Sequence, residues 1–408
     1  MKKIFAGTKK GISEREIKNS TLAREIASEG IVVLKNEGVL PVTEKRIALF
    51  GSGARGTVNG GTGSGSVNGR SNISIEQGLL NAGFEITTKE WLERCERHYN
   101  DTYAAWRAAR ESEIEGITDI MQILAKVNQT PFVYPTGISI TKEDISNTDT
   151  NVAIYVISRQ AGEGYDRTLS ADDFLPDKTE LSNIRSLAEN FSDVIVVINA
   201  GSQIILSEIE ALGVKGLIFY GQAGQEGGNA FADIVSGKVS PSGKLTISWA
   251  SDYKKIPYGE QYGAMGNALE QDYLEGIYVG YRYYDTFGVK PAYPFGFGLS
   301  YTNFEIFTPM AECLGENCTV HGTVKNTGRY TGREVVQVYA ALPYGTDGAE
   351  TKRLVGFCKT PFLQAGEETT FRIDFPLDFL ARYKEEKAAF VLEKGVYTIL
   401  VGNSSEHV

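Results

Sequence analysis

A glutamate framed by two glycines, Gly162-Glu163-Gly164, is the stretch of this sequence whose residue types best suit chemistry. It sits within Ser158-Arg159-Gln160-Ala161-Gly162-Glu163-Gly164-Tyr165-Asp166-Arg167, directly after the apolar run Val152–Ile157. A short β-rich apolar run reads as a buried strand. Glycines without Cβ let the backbone turn sharply and hold the carboxylate out at the strand's carboxyl end. That end is where open α/β sheets bind their ligands. Arg159, Asp166 and Arg167 are close in sequence, which puts Glu163 in a polar network rather than an apolar core. A charged surface loop with turn glycines is the competing reading of these ten residues taken alone.

A second set of glycines runs through Gly51-Ser52-Gly53-Ala54-Arg55-Gly56 and Gly60-Gly61-Thr62-Gly63-Ser64-Gly65. Gly51, Gly53 and Gly56 have G-x-G-x-x-G spacing after a strand, yet no helical pattern opens at Gly56 and no Lys-Ser/Thr follows. Nucleotide binding is therefore disfavoured. Backbone amides and small hydroxyls on such a rim suit hydrogen bonding to a polyol, with Thr62 and Ser64 as candidate donors; a structural glycine turn is equally compatible. The three histidines are scattered, which argues against a His-rich metal site or a His-based triad, and nothing calls for a cofactor.

The elements that must position these residues alternate in type. A helix is predicted after Asn19-Ser20-Thr21 and closed by Gly30, then strands at 31–34 and 46–50, a helix start at Ser74, and a return to strand by Ile86. Residues 89–113 read as a long surface helix, and 114–140, with Pro131 and Pro135, as an irregular segment. After the Glu163 loop come a helix over 178–190, a strand over 193–199, a strand over 216–220, a helix over 227–234 and a last strand after Pro241–Ser248. This alternation predicts a mostly parallel, helix-covered sheet. From Ser300 the pattern becomes β-branched alternation with turn signals, at 320–328, 334–339, 370–375 and 395–402, which predicts an immunoglobulin-like or fibronectin-like sandwich. The expected division is 1–250 for the α/β domain, 251–299 for linking loops and 300–408 for the β-sandwich.

The chain's 408 residues allow two or three domains with sizeable cores, and a formal net charge of −10 argues against nucleic acid or an anionic membrane as main partner. No apolar run approaches a membrane span, and the basic start lacks the apolar region of a secretory signal. A cytoplasmic location is expected, with the four cysteines, Cys313 and Cys318 included, as free thiols.

Several stretches, taken together and in order, resemble the family 3 glycoside hydrolases of the β-glucosidase-like branch. They are 30–41 (GIVVLKNEGVLP), 60–65 (GGTGSG), 158–167, 221–226 (GQAGQE), 241–245 (PSGKL), 278–287 (YVGYRYYDTF) and 294–301 (PFGFGLSY). The resemblance covers nearly the whole chain. It implies an α/β sandwich followed by a fibronectin type III-like domain, and a retaining β-glycosidase in which Glu163 is the general acid/base. It implies a β-linked oligosaccharide or glycoside as substrate. Arg159, Asp166 and Arg167 are candidate substrate-binding residues beside Glu163, with Asp166 and Arg167 placed to tune or orient it; a purely structural ion pair is the alternative for those two. The family's nucleophilic aspartate belongs to a (β/α)8 barrel, and no barrel-length repeat is present. Ser251-Asp252-Tyr253 mimics the Ser-Asp-Trp setting of that nucleophile but follows the sheet, so Asp252 is rejected. The expectation is part of an enzyme, either the front of one with reversed domain order or one half of a split one, completed by a barrel in cis or in trans and compatible with homo-oligomerisation. The alternative is a catalytically silent carbohydrate-binding or structural module.

Overall fold

The computed structural model describes residues 11–67, 69–130, 132–160, 167, 169–170, 173–261, 269–270, 272–343 and 348–408, without the side chains of Ser64, Val127, Asn128 and Glu260. Strands β1 (Val32–Asn36), β2 (Arg46–Phe50), β3 (Glu85–Ile86), β4 (Val152–Ser158), β5 (Asp193–Asn199) and β6 (Gly216–Phe219) form one sheet in the order β1-β6-β5-β4-β2-β3. The pairs among β3, β2, β4, β5 and β6 are parallel, and β1 lies antiparallel on β6. The apolar runs make this order stable: Ala153 to Ile157 and Ile195 to Ile198 are wholly buried, as strands covered on both faces must be. Each buried Val or Ile among them contributes about 1.5–3 kcal/mol by leaving water.

Helices α1 (Glu14–Gly30), α2 (Ile75–Asn81), α3 (Lys89–Ile114), α4 (Ile120–Gln129), α5 (Lys142–Ser146), α6 (Lys178–Asn190), α7 (Ser207–Glu210), α8 (Gly227–Val235) and α9 (Tyr281–Phe287) surround the sheet and its loops. Helix α1 begins well before the predicted start. Ser13 and Glu16 form a capping box there, satisfying two otherwise orphaned backbone donors, while the hydroxyl of Ser20 bonds the carboxylate of Glu226 instead. The segment 114–140 is not wholly irregular: Asp119 accepts from the amides of Met121 and Gln122 and starts α4. The predicted last strand does not join the sheet. Leu245 and Trp249 donate instead to Phe297 and Tyr293, so this segment pairs with the loop leading to the second domain.

The second domain holds β7 (Phe304–Leu314), β8 (Asn317–Asn326), β9 (Val335–Ala341), β10 (Lys352–Lys359), β11 (Glu368–Pro376), β12 (Arg382–Lys384), β13 (Ala389–Val391) and β14 (Thr398–Gly402). They form sheets β10-β9-β14 and β11-β8-β7 and the hairpin β12-β13. Alternate residues Phe371, Ile373 and Phe375 of β11 point into a core with Val320, Val324, Val336 and Val338. The free-thiol expectation fails at one pair. Cys313 and Cys318 face each other across the β7–β8 hairpin, their Cα atoms 4.1 Å apart, and form a disulfide; Cys95 and Cys358 are free.

The two domains are joined by ions and by backbone. Glu29 at the end of α1 takes Arg333 at 2.5 Å and Lys359 at 2.7 Å, and Lys244 reaches Glu334 at 2.8 Å. Leu299 donates to the carbonyl of Val33 in β1 and makes a single bridge with it. Gly243 and Gly298, both in stretches that carry the family resemblance, meet here. A Cβ on Gly298 would lie 2.0 Å from the Gly243 carbonyl oxygen, so that motif builds the domain joint.

Candidate functional site

The glycine-rich segment leaves β2 against the carboxyl end of β4. Gly51 adopts φ +95°, and a Cβ on it would lie 2.2 Å from the Val156 carbonyl oxygen, so only glycine permits this approach. Asn199, the last residue of β5, then ties the segment down. Wholly buried, it accepts from the Val58 amide at 2.7 Å and donates to the carbonyls of Val58 and Gly221, each at 2.8 Å. Thr57 donates to the Gly53 carbonyl at 2.7 Å and accepts from the Ile75 amide at 2.9 Å, which seats the first turn of α2. Arg55 forks onto Glu76 at 2.7 and 2.8 Å and reaches Glu96 of α3 at 2.9 Å. These partners, Glu76 above all, raise its pKa against the opposing pull of burial.

Between this segment, α3 and residues 134–137 lies a cavity of about 640 Å³. Its wall includes Asn59, Thr62, Glu96, Tyr99, Tyr134 and Gln160. It opens beside the carboxyl ends of β2 and β4, the side of a parallel sheet where ligands bind. Arg55 and Glu96 of the wall bond each other, while Asn59, Thr62 and Gln160 offer neutral donors and acceptors beside two tyrosine rings, a set that suits a polar ligand. Cys95 also lines it, and burial pushes its thiol up to about 11, so it is no nucleophile.

Thr62 is half-buried in this wall; for Ser64 only the backbone is described. Glu163 and Asp166 lie outside the described residues. Their loop departs from Gln160, which lines the cavity and donates from Nε2 to the Gly60 carbonyl at 3.2 Å.

Arg159 has a different place from the one expected. It is buried, and all five of its guanidinium N–H donors are taken. Nη1 and Nη2 bond the two carboxylate oxygens of the wholly buried Glu180 at 2.7 and 2.6 Å. The remaining donors go to the carbonyls of Ser158, Asp173 and Leu175. No donor is left for a substrate; Arg159 instead pins both feet of the 159–175 loop to α6. Arg167 bonds the Asp173 carboxylate at 2.7 Å and the Gln203 carbonyl at 2.6 Å, with its guanidinium 4.6 Å from the centre of the Phe174 ring. Arg167 is therefore engaged with Asp173, Phe174 and Gln203.

Three further residues have simpler places. Glu226 stands at the start of α8 but bonds Ser20 and Asn229 rather than the helix backbone. Asp252 is exposed and only caps Lys254. Tyr281 packs on Phe295 and Tyr339 and accepts from the Leu354 amide, an interdomain role. Asn199 and Gln160 were not anticipated; a polar residue ending a fully apolar strand, as Asn199 does, is the signal that marks such a clamp.

An open α/β sheet with a polar cavity at its carboxyl edge, braced by a fibronectin type III-like sandwich, defines a two-domain α/β-plus-β protein. The chain belongs to glycoside hydrolase family 3: residues 31–301 match the glycosyl hydrolase family 3 C-terminal domain and 334–405 a fibronectin type III-like domain. It is 32% identical to the β-glucosidase of Ruminococcus albus over 93% of this chain and 39% of that protein. It is 40% identical to the exo-α-(1→6)-L-arabinopyranosidase of Bifidobacterium breve over 60% of this chain and 32% of that protein. The structure of β-glucosidase 3B from Thermotoga neapolitana in complex with α-D-glucose superposes with a TM-score of 0.81 at 34% identity, covering 97% of this chain and 53% of that one. The chain thus spans about half, or less, of the relatives it matches.

Proposed function

We propose that this chain is the acid/base-bearing part of a retaining β-glycosidase, of β-glucosidase type, that removes terminal non-reducing β-D-glycosyl units from oligosaccharides or glycosides. A (β/α)8 barrel, in cis or in trans, supplies the nucleophile and most of the glycone pocket. The observation that carries this reading is the construction of the Glu163 loop: it starts from the wall of a polar cavity, and Arg159 clamps both of its feet.

Glu163 would protonate the glycosidic oxygen as the first bond breaks. As a carboxylate it would then take a proton from the water that attacks the glycosyl-enzyme. Its partner carboxylate belongs roughly 5–5.5 Å away in a retaining enzyme. The cavity walled by Asn59, Thr62 and Gln160 offers neutral hydrogen-bonding groups to the leaving sugar. Relatives of this chain include both β-glucosidases and an exo-α-(1→6)-L-arabinopyranosidase, so the reading stops at a glycosyl unit.

The test compares hydrolysis of 4-nitrophenyl β-D-glucoside and cellobiose by this chain alone, by the chain with its barrel, and by that assembly carrying Glu163→Gln. The chain alone should be inactive and the assembly active. The variant should lose about 10²–10⁴-fold on cellobiose, whose leaving group needs a proton, and much less on the nitrophenyl glycoside. Equal rates for variant and wild type on both substrates would remove Glu163 from the chemistry.

A further inference from the structure

Five aromatic side chains gather outside both cores. Tyr99, Tyr103 and Trp106 are spaced i, i+4, i+7 on α3 and so share one face of it. Phe132 and Tyr134 come from the segment after α4. Phe132 stands edge-on to Tyr99 at 5.7 Å and 89° and to Tyr103 at 5.2 Å and 90°, and contacts Trp106 and Tyr134. It is the wedge that fixes the other rings. The indole of Trp106 is fixed further by donating to the Thr130 carbonyl at 2.9 Å. The rings of Tyr99 and Tyr103 are parallel to within 1°, with centres 6.4 Å apart.

These residues do not form a closed core. On the same helix Trp91 and Leu92, which face the sheet, are 1% exposed, whereas Tyr99, Tyr103 and Tyr134 are 37%, 40% and 38% exposed. The row is continuous with the cavity, because Tyr99 and Tyr134 also form part of its wall. From Tyr99 to Trp106 it runs about 10 Å along the helix. A ligand reaching out of the cavity would therefore meet a fixed strip of half-exposed rings, each with an apolar face and, for the tyrosines, a polar rim. Pyranose rings have matching surfaces, with C–H faces to lie on the aromatic faces and hydroxyls around the edge for the phenols and water. Tyrosine and tryptophan also offer rigid contact area at low entropic cost.

We propose that Tyr99, Tyr103, Trp106, Phe132 and Tyr134 form a stacking platform for the more distal leaving-group sugars of a β-linked gluco-oligosaccharide whose first leaving sugar lies in the cavity. The inference rests on the reading of the chain as part of a glycosidase, and it adds a preference for longer chains. The aromatic row supplies affinity and plays no part in bond cleavage.

The test uses the full chain and measures binding, so it requires no turnover. Cellobiose and cellotetraose are titrated by calorimetry and by tryptophan fluorescence, in which Trp106 is the responsive indole because Trp91 and Trp249 are each 1% exposed. The tetrasaccharide should bind about tenfold more tightly than the disaccharide, the equivalent of one good aromatic contact of about 1.4 kcal/mol. Tyr103→Ala should abolish most of that difference while leaving the disaccharide unchanged, whereas Tyr99→Ala should weaken both sugars because Tyr99 also walls the cavity. Tyr99→Phe and Tyr103→Phe, which keep the ring and its packing on Phe132, should retain it and act as controls for an alanine variant that disturbs α3. Equal affinity for the two sugars, no binding of either, or a length preference untouched by alanine would overturn the platform. Loss of hydrolysis by the assembly with the length preference intact would instead count against the catalytic reading alone.

Discussion

Substitution of the Arg159–Glu180 pair should separate the stability of this domain from the rigidity of its loop. Glu180 is wholly buried and Arg159 is 5% exposed. Glu180→Ala leaves a guanidinium without its counter-charge and two of its five donors without acceptors. Breaking a buried pair from one side costs about 3–5 kcal/mol, most of it the stranded charge. Arg159→Met strands the carboxylate instead and also takes the donors from the Ser158, Asp173 and Leu175 carbonyls. Its cost should depend on pH. Burial pushes the Glu180 carboxyl up, and Arg159 opposes that push; without Arg159 the native state holds a proton that the unfolded carboxylate releases. With more protons bound in the native state, stability falls as pH rises. Relative to wild type, Arg159→Met should therefore be less damaging at about pH 5 than at about pH 8. The double variant Arg159→Met/Glu180→Leu removes both charges and should recover much of the loss, yet its loop has lost the clamp. In the barrel-completed enzyme it should stay slow even where it is stably folded. Urea unfolding at the two pH values, with the hydrolysis assay alongside, reads all of this. A cost for Glu180→Ala below about 1 kcal/mol, or a double variant as unstable as the two single losses summed, would refute the reasoning.

Three further outcomes are expected. Asn199→Ala should cost about 1–3 kcal/mol by stranding the buried amide and carbonyl of Val58, and protease cleavage within 51–67 should quicken in parallel. Glu29→Gln should narrow the stability gap to wild type as pH falls. Burial alone would raise this carboxyl, but Lys359 and Arg333 hold it below its usual value, so its contribution is present above the unfolded pKa and lost as pH drops through the folded one; thermal melts from about pH 6 to about pH 3 check this. Thiol titration of the unreduced, unfolded protein should find two thiols, Cys95 and Cys358; four would restore the expectation of a fully reduced chain.

Much of the fold was legible because local signals and burial agreed. The helix over Lys178–Asn190 has a capping box from Asp177 and Glu180, and the strand Asp193–Asn199 is uninterrupted apolar sequence after its first residue. Helix α1 was placed late because Ser20 resembles a cap; its hydroxyl serves Glu226, a partner far away in sequence. Two prolines concealed α4, although Asp119 marks its start. Arg159 was misassigned for a different reason. An arginine four residues from a candidate catalytic glutamate looks the same in sequence whether it faces a ligand or a buried carboxylate. The pairing of Cys313 with Cys318 likewise depends on hairpin register, which a spacing does not give.

The way the sheet ends has a consequence for assembly. An exposed edge strand offers unpaired amides and carbonyls to any extended chain, which invites strand addition and aggregation. Here β1 lies antiparallel on β6 and is met by Leu299, so the segment entering the second domain covers that margin. At the other margin β3 is only Glu85–Ile86, too short a template to hold a partner strand. A barrel, or a second copy of this chain, that joins this domain must therefore do so through side chains and loops rather than by extending the sheet, which leaves such a contact reversible and open to tuning residue by residue.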